Sequence, residues 1–448
     1  MNTGDEQTGV VLRILRTDRS ELASVVKRLG LRGKMDLEPV VATTKAILEE
    51  VRGKGDEALL ALTERFDRAR LTVADLQVGE TEISMALDQV DIGLLDILRR
   101  AAENISRFHQ AQRPVDVNIA GRISLINRPL AKVGVYVPGG TAPLPSSVLM
   151  NIIPARAAGV EKIIMCTPPR ADSSIDPVIL AAASIAGADE IYRVGGAQAI
   201  AAMAYGTRTI PRVDKITGPG NIYVNTAKRL VFGQVDIDMF AGPSEILIIG
   251  DETADPSYVA ADLLSQAEHD VLASALLLTT SEKLAEAVVL ETARRAALLP
   301  RKNIIARSLK DFGAVLLVPD LATAVEFANE LAPEHLELMV ADPDDLLPRI
   351  RNAGAIFIGH YSPEPLGDYF AGTNHVLPTS GTARFFSPLN TGDFIKKINL
   401  IRYTREDLSK DWRAIAEFAE AENLRAHAES VRVRFGADQL ARDHDHNA

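Results

Sequence analysis

From about residue 131 the chain repeats one local unit: a short apolar strand, a turn rich in glycine and proline, and an alanine-rich helix. The strands run "KVGVYVP", "VEKIIMCTP", "EIYRVG", "VDKITGP" and "EILIIGD", then "ASALLLTTS", "AVLLVPD" and "GAIFIG". Strand and helix alternating at this interval predict parallel βαβ units. Two blocks are expected, residues 131–240 and 241–380, with the Gly/Pro-rich "MFAGPSEIL" near their junction. Open parallel sheets bind ligands beyond the carboxyl ends of their strands and between domains, so the cleft is expected to face those turns.

Residues 36–113 carry apolar side chains at three- and four-residue spacing, which predicts a helical N-terminal lobe over 1–130. From about residue 405, "REDLSKDWRAIAEFAEAENLRAHAESVRVRF" is again helical, giving a small helical C-terminal region over 381–448. The closing "ARDHDHNA", with His444 and His446, reads as a solvated tail.

A chain of 448 residues exceeds one ordinary core, which agrees with several domains. The opening "MNTGDEQTGVVLRILRT" does not resemble a signal peptide. Apolar runs such as "ASALLLTT" fall short of the roughly 20 residues of a membrane span. The formal net charge of −11, without a Lys/Arg block, argues against nucleic acid and anionic membranes as partners. Small molecules are the expected ligands. The single cysteine, Cys166, ends an apolar strand, excludes an internal disulfide and suits a reducing, cytoplasmic setting.

No G-x-G-x-x-G follows any strand, so an ordinary dinucleotide fingerprint is absent. Three other glycine-bearing turns, "VYVPGGTAPLPSSV", "RVGGAQAIAAM" and "TGPGNIYVNTAK", each lead from a strand into a helix, where exposed amides can receive an anion. Five histidines, His269, His335, His360, His375 and His427, fall in the C-terminal part beside acids and amides. "LLSQAEHD" sets Gln266 and His269 on one face of a helix end, a pattern equally natural at a solvated surface. "YSPEPLGDYFAGTNHVLPTSGTARF" reads as a long loop carrying Asp368, Asn374 and His375, and long loops inside compact domains tend to be functional. If Gln266, His269, Asp368 and His427 converge, they supply two imidazoles, a carboxylate and an amide oxygen, a set that suits zinc with open positions. "ELAPEHLELMV" places Glu334 beside His335, either an acid/base pair or a polar corner between helix and strand.

"VGVYVPGG", "VGGAQAIAA", "TGPGN", "AGPSEIL", "QAEHD", "PEHLEL", "LGDYFAGTNHVLPTSGTAR" and "AEAENLRAHAESVRVR", in order over residues 35–434, together resemble the histidinol dehydrogenase family. The resemblance implies an α/β fold of the aldehyde-dehydrogenase-like superfamily, with two Rossmann-like parallel-sheet domains: 131–240 for NAD and 241–380 for zinc and catalysis. It implies oxidation of L-histidinol through the aldehyde to L-histidine, with two NAD⁺ and one water, at the end of histidine biosynthesis. Gln266, His269, Asp368 and His427 match the zinc ligands, one ion per subunit, and Glu334 and His335 match the proton acceptors. Ser244 and Glu422 would join the metal ligands and His335 around the substrate. Tyr136, Gln198 and Asn221 match the cofactor positions, and His375 is a further pocket residue. The family's homodimer shares its sites, so His427 would complete the neighbouring subunit's centre. Ile398 and Asn399 stand where relatives carry small hydroxylated residues.

Two other functions fit parts of this pattern. A paralogous zinc and NAD-dependent dehydrogenase for another small polar alcohol would retain the ligands and Glu334-His335 while changing Ser244, Glu422 or "GTNHVLPT". A catalytically silent metal- or nucleotide-binding protein would have no need of Glu334 and His335.

Overall fold

The structure is a computed structural model, described for residues 12–16, 19–29, 32, 38–139, 143–239 and 242–436. The expected C-terminal tail with His444 and His446, the first eleven residues, Gly140 of "VPGG" and Ala241 of "AGPSE" lie outside the described residues. The chain forms two units, Met1–Arg113 with Pro129–Ile395, and Pro114–Arg128 with Lys396–Ala448.

The first unit holds two parallel sheets. One has the order Glu190–Arg193, Lys162–Thr167, Lys132–Tyr136, Lys215–Thr217, Asp236–Ile237. In chain order this is 3-2-1-4-5, the doubly wound arrangement, with its switch point between Lys132–Tyr136 and Lys215–Thr217. Alternate residues feed opposite cores. Val133, Val135, Ile163 and Met165 pack beneath the helices Pro145–Ala158 and Pro177–Ala186. Tyr136, Ile164, Cys166 and Ile216 pack beneath Gly196–Tyr205 and Ile222–Val231. Burial on both faces is why these strands read as unbroken apolar runs.

The turns after strands one and four touch at the switch point. Gly218 of "TGPGN" has φ 116°, and a Cβ there would lie 2.0 Å from the Tyr136 carbonyl oxygen, so only glycine fits. Its N–H donates to Asp238 Oδ2 at 2.8 Å, and its carbonyl accepts from Lys228 Nζ at 3.0 Å. Lys228 and Asp238 form an ion pair that is almost wholly buried.

The second sheet runs Ile14–Arg16, Gly313–Leu317, Ser274–Thr279, Glu245–Gly250, His335–Met339, Ala355–Ile358, again all parallel. Without its first strand it repeats the 3-2-1-4-5 order. Leu247, Ile249, Leu276 and Leu336 face one core, and Ile246, Ile248, Leu277 and Val315 the other.

Two expectations need correction. The N-terminal part is not wholly helical, because Ile14–Arg16 is an edge strand of the second sheet and Leu12 enters its core. Three residues are too few to reveal a period. Nor is the C-terminal region wholly helical: Ile395–Ile401 joins a three-stranded sheet with Ile123–Pro129 and Val117–Ile119. The helices Trp412–Ala421 and Arg425–Arg432 follow in the second unit. Among the described residues no helix is long and apolar enough to cross a membrane.

Candidate active site

His335 begins the strand His335–Met339, whose five residues are all buried, and the preceding Glu334 is buried as well. Glu334 faces the start of the neighbouring strand Glu245–Gly250 through two reciprocal hydrogen bonds. Glu245 N–H donates to Glu334 Oε2 at 2.9 Å, and Glu334 N–H donates to Glu245 Oε2 at 3.3 Å. The Glu245 carboxylate is held by a buried ion pair with Arg32 and by the Ser380 N–H at 3.2 Å. Two adjacent acids are thus fixed with one of them neutralised by a cation.

His335 Nδ1 lies 2.9 Å from the Glu245 carbonyl oxygen. A carbonyl can only accept, so Nδ1 carries a proton, and in the neutral ring Nε2 is the nitrogen that presents its lone pair. Buried Nε2 has no hydrogen-bond partner and lies 3.7 Å from Asp368 Oδ1. Burial disfavours the charged ring, yet Glu334, Asp368 and Glu364 overcome it and push His335 up to about 10. Burial pushes Glu334 up to about 7, with His335 opposing.

The expected long loop carrying Asp368 is partly ordered. Glu364–Tyr369 is a short helix, begun by Pro363 at its cap and Pro365 in its first turn, where proline suits helix entry. Glu337, two residues after His335 and so on the same face of its strand, accepts the Glu364 N–H at 2.9 Å through Oε1. Ser265 Oγ donates to Glu364 Oε2 at 3.2 Å. Glu364 and Asp368, four residues apart, share one helix face. His335, Glu364 and Asp368 thereby offer ligand atoms within 4.8 Å of one another, a possible metal site. Downstream, His375 Nδ1 donates to the Asp368 carbonyl at 3.1 Å, whereas Asn374 donates to the Met150 carbonyl at 2.8 Å and so anchors the loop.

Gln266 lies in the last turn of the helix Pro256–Ala267, and His269 follows it, its N–H bonded to the Gln266 carbonyl at 3.2 Å. Gln266 is 1% exposed, yet neither its Oε1 nor its Nε2 has a partner. Leaving a buried amide unpaired costs about 1–3 kcal/mol, and the Gln266 oxygen is therefore free to serve as a ligand atom. His269 is exposed and within electrostatic reach of Asp368 and His335. Gln266, His269 and Asp368 all belong to the first unit; His427 and Glu422 are exposed residues of the second. Ser244, half-buried, precedes Glu245 directly, and its carbonyl accepts the Ser274 N–H at 3.0 Å.

The expectation that the whole cleft faces the carboxyl ends of strands is corrected here. Glu245 and His335 stand at the amino ends of their strands, where the returning helix Pro256–Ala267 presents its C-terminus. Carboxyl-end sites serve anions at helix N-termini, whereas the negative pole of a helix C-terminus favours a cation.

The first sheet does follow the carboxyl-end rule. A cavity of about 1060 Å³ is lined by Tyr136, Pro138, Thr167, Gln198, Asn221 and Asp67, among others. Tyr136 Oη accepts the Gly196 N–H at 3.0 Å. Asn221 also caps the helix Ile222–Val231, accepting from the N–H groups of Tyr223 and Val224. Gln198 is 1% exposed and its Nε2 has no partner.

Cys166 is fully buried, and burial pushes its thiol far above the ordinary range, so it supplies no thiolate. Sequence reasoning missed Glu245, Glu337, Glu364 and Arg32. Two of these had a signal: Glu337 interrupts an apolar strand, and Glu364 stands one helical turn before Asp368.

Residues 31–435 match the family model described as histidinol dehydrogenase. The chain is 49% identical over 439 residues to the histidinol dehydrogenase of Listeria innocua serovar 6a, covering 97% of this chain and 99% of that one. It is 51% identical over 432 residues to that of Syntrophotalea carbinolica, covering 95% and 99%. The crystal structure of histidinol dehydrogenase from Elizabethkingia anophelis superposes with a TM-score of 0.90 at 39% identity, covering 96% of this chain and 99% of that one. With this match spanning both parallel sheets and the Glu334–His335–Asp368 cluster, the chain belongs to the histidinol dehydrogenase family.

Proposed function

We propose that the protein oxidises L-histidinol to L-histidine in histidine biosynthesis by two successive hydride transfers to NAD⁺, in a zinc-dependent site. The observation that carries this reading is the His335 ring. Its Nδ1 proton is locked on the Glu245 carbonyl, its Nε2 is unpaired, and Glu334, Glu364 and Asp368 surround it.

Gln266, His269, Asp368 and the partner subunit's His427 would hold zinc, in a homodimer whose sites are shared. Bound there, zinc would supply a Lewis acid and a template for the substrate amine and imidazole. His335, with the acidic cluster neutralised, recovers a nitrogen of ordinary basicity and takes the alcohol proton as hydride leaves the adjacent carbon. Glu334, held near neutrality by burial, takes a proton from the water that hydrates the aldehyde, and the hydrate yields the second hydride. Ser244 and Glu422 complete the substrate pocket. NAD⁺ carries the electrons.

The division of labour follows the two sheets. Residues 131–240 form a Rossmann-like nucleotide domain in which Tyr136, Gln198 and Asn221 line the cofactor cavity. Residues 241–380 carry the chemistry, 1–130 buttress the cavity, and 381–448 serve dimerisation, in a cytoplasmic enzyme of the aldehyde-dehydrogenase-like superfamily.

A second reading is favoured by the close approach of His335, Glu364 and Asp368, which would make His335 a metal ligand instead of a base. Zinc content separates the two, since a base can be replaced without metal loss. The function itself is tested by L-histidinol-dependent NADH formation before and after chelation. Activity lost on chelation and restored by zinc supports it, and activity indifferent to zinc contradicts it.

A further inference from the structure

Helix Asp56–Asp67 ends on a carboxylate, Asp67, whose Oδ2 has no hydrogen-bond partner among the described residues. Asp67 sits at the negative pole of its helix, where an acid is disfavoured. It is half-buried, and its Oδ2 is shielded from solvent without a hydrogen-bond partner. Burial alone pushes its carboxyl up to about 6. The same residue lines the 1060 Å³ cavity, close enough to Tyr136 for its charge to disfavour the tyrosinate.

The cavity holds a second unmatched group of opposite character. Gln198 Nε2 is a buried donor without an acceptor, whereas Asp67 Oδ2 is an acceptor without a donor. A ligand that satisfies both must offer a hydrogen-bond acceptor and a donor together. A vicinal diol does so. Of the two arginines on the cavity wall, Arg170 pairs with Asp176, and Arg65 lies over its exposed neighbour Phe66 with its guanidinium 5.1 Å from the ring centre.

We propose that Asp67 accepts a ribose hydroxyl of the dinucleotide and discriminates against a 2′-phosphorylated one. The inference rests on the nucleotide reading of this cavity. A carboxylate is the usual partner of a free 2′-hydroxyl in doubly wound folds, where it follows the glycine fingerprint on the next strand. Here that fingerprint is missing and the acid comes from a helix that precedes the sheet. A 2′-phosphate would bring up to two further negative charges against Asp67.

The test is fluorescence titration of the full-length protein with NADH and with NADPH, for the unsubstituted chain, Asp67→Asn and Asp67→Ser. The unsubstituted chain is expected to prefer NADH, and both variants to lower the NADH to NADPH affinity ratio about tenfold, as one charge-assisted hydrogen bond implies. In turnover the loss falls on KM for NAD⁺ more than on kcat. Both variants remove an unpartnered carboxylate, so both are expected to fold, as circular dichroism would verify. An unchanged ratio in a protein that binds NADH overturns the role of Asp67 alone. An unsubstituted chain that binds neither nucleotide and reduces no NAD⁺ overturns the cofactor reading and this inference with it.

Discussion

Glu337 Oε1 accepts the backbone N–H of Glu364 at 2.9 Å and so fixes the first turn of the helix that carries Asp368. His335 leaves the same strand two residues earlier. His335 and the carboxylate opposite it are therefore set by one strand. Replacing Glu337 by alanine removes the acceptor and leaves a buried N–H unpaired, at about 1–3 kcal/mol. Glu337→Ala is expected to lower zinc content and turnover together, while Glu337→Gln, which keeps an acceptor oxygen, is expected to lie near the unsubstituted chain. Metal analysis of the two variants beside their rates checks this.

Removing the ring of His335 tests its role. His335→Gln is expected to cut kcat by about 10²–10⁴, the span of a lost general base, while keeping stoichiometric zinc. Zinc lost in step with activity would instead favour His335 as a ligand.

The proposed sharing of sites makes a prediction that a self-sufficient monomer does not. His335→Gln and His427→Asn are each expected to be nearly inactive as homodimers. Subunits mixed after mild dissociation should recover activity, because a mixed dimer contains one site with both residues intact. Mixtures no more active than their parents would remove His427 from the neighbouring site.

Cys166 offers a control against thiol chemistry. It is buried in the same core as Tyr136, Ile164 and Tyr192. Cys166→Ala is expected to cost on the order of 1 kcal/mol in stability through the vacated volume. Oxidation of both histidinol and histidinal should persist, and loss of aldehyde oxidation alone would implicate a thiohemiacetal.

Asp67 predicts a pH signature in stability. Its folded pKa, about 6 against 3.8, is raised, so the folded state penalises the charged form. Below pH 3.8 the acid is protonated in both states and Asp67→Asn changes little. As pH rises through 6 the penalty develops, and the asparagine variant becomes the more stable. Two units correspond to about 3 kcal/mol, reduced to about 1 kcal/mol by partial exposure. Melting curves at pH 4 and pH 8 measure the difference, and a gain at pH 4 equal to that at pH 8 would contradict it.

The parallel strands were legible because burial on both faces leaves unbroken apolar runs between turn signals, as in "EILIIG" and "SALLLT". Ile14–Arg16 was not, since a three-residue edge strand has no measurable period. Ile395–Ile401 was hidden by two lysines and an asparagine on an exposed antiparallel strand. At the site, Glu334 and His335 stood out through their setting before a strand, but Glu245 hid in "AGPSEIL" because its partner Arg32 lies over two hundred residues away. Long-range ion pairs leave no local spacing to read.

The measurement that tests the account most directly is the number of NADH formed per L-histidinol consumed, on zinc-replete protein. The account predicts two NADH and one L-histidine, with both steps abolished by chelation and recovered with zinc. One NADH with accumulation of the aldehyde, or no oxidation of histidinol despite bound zinc, would contradict it, and the latter would point to another small polar alcohol as the substrate.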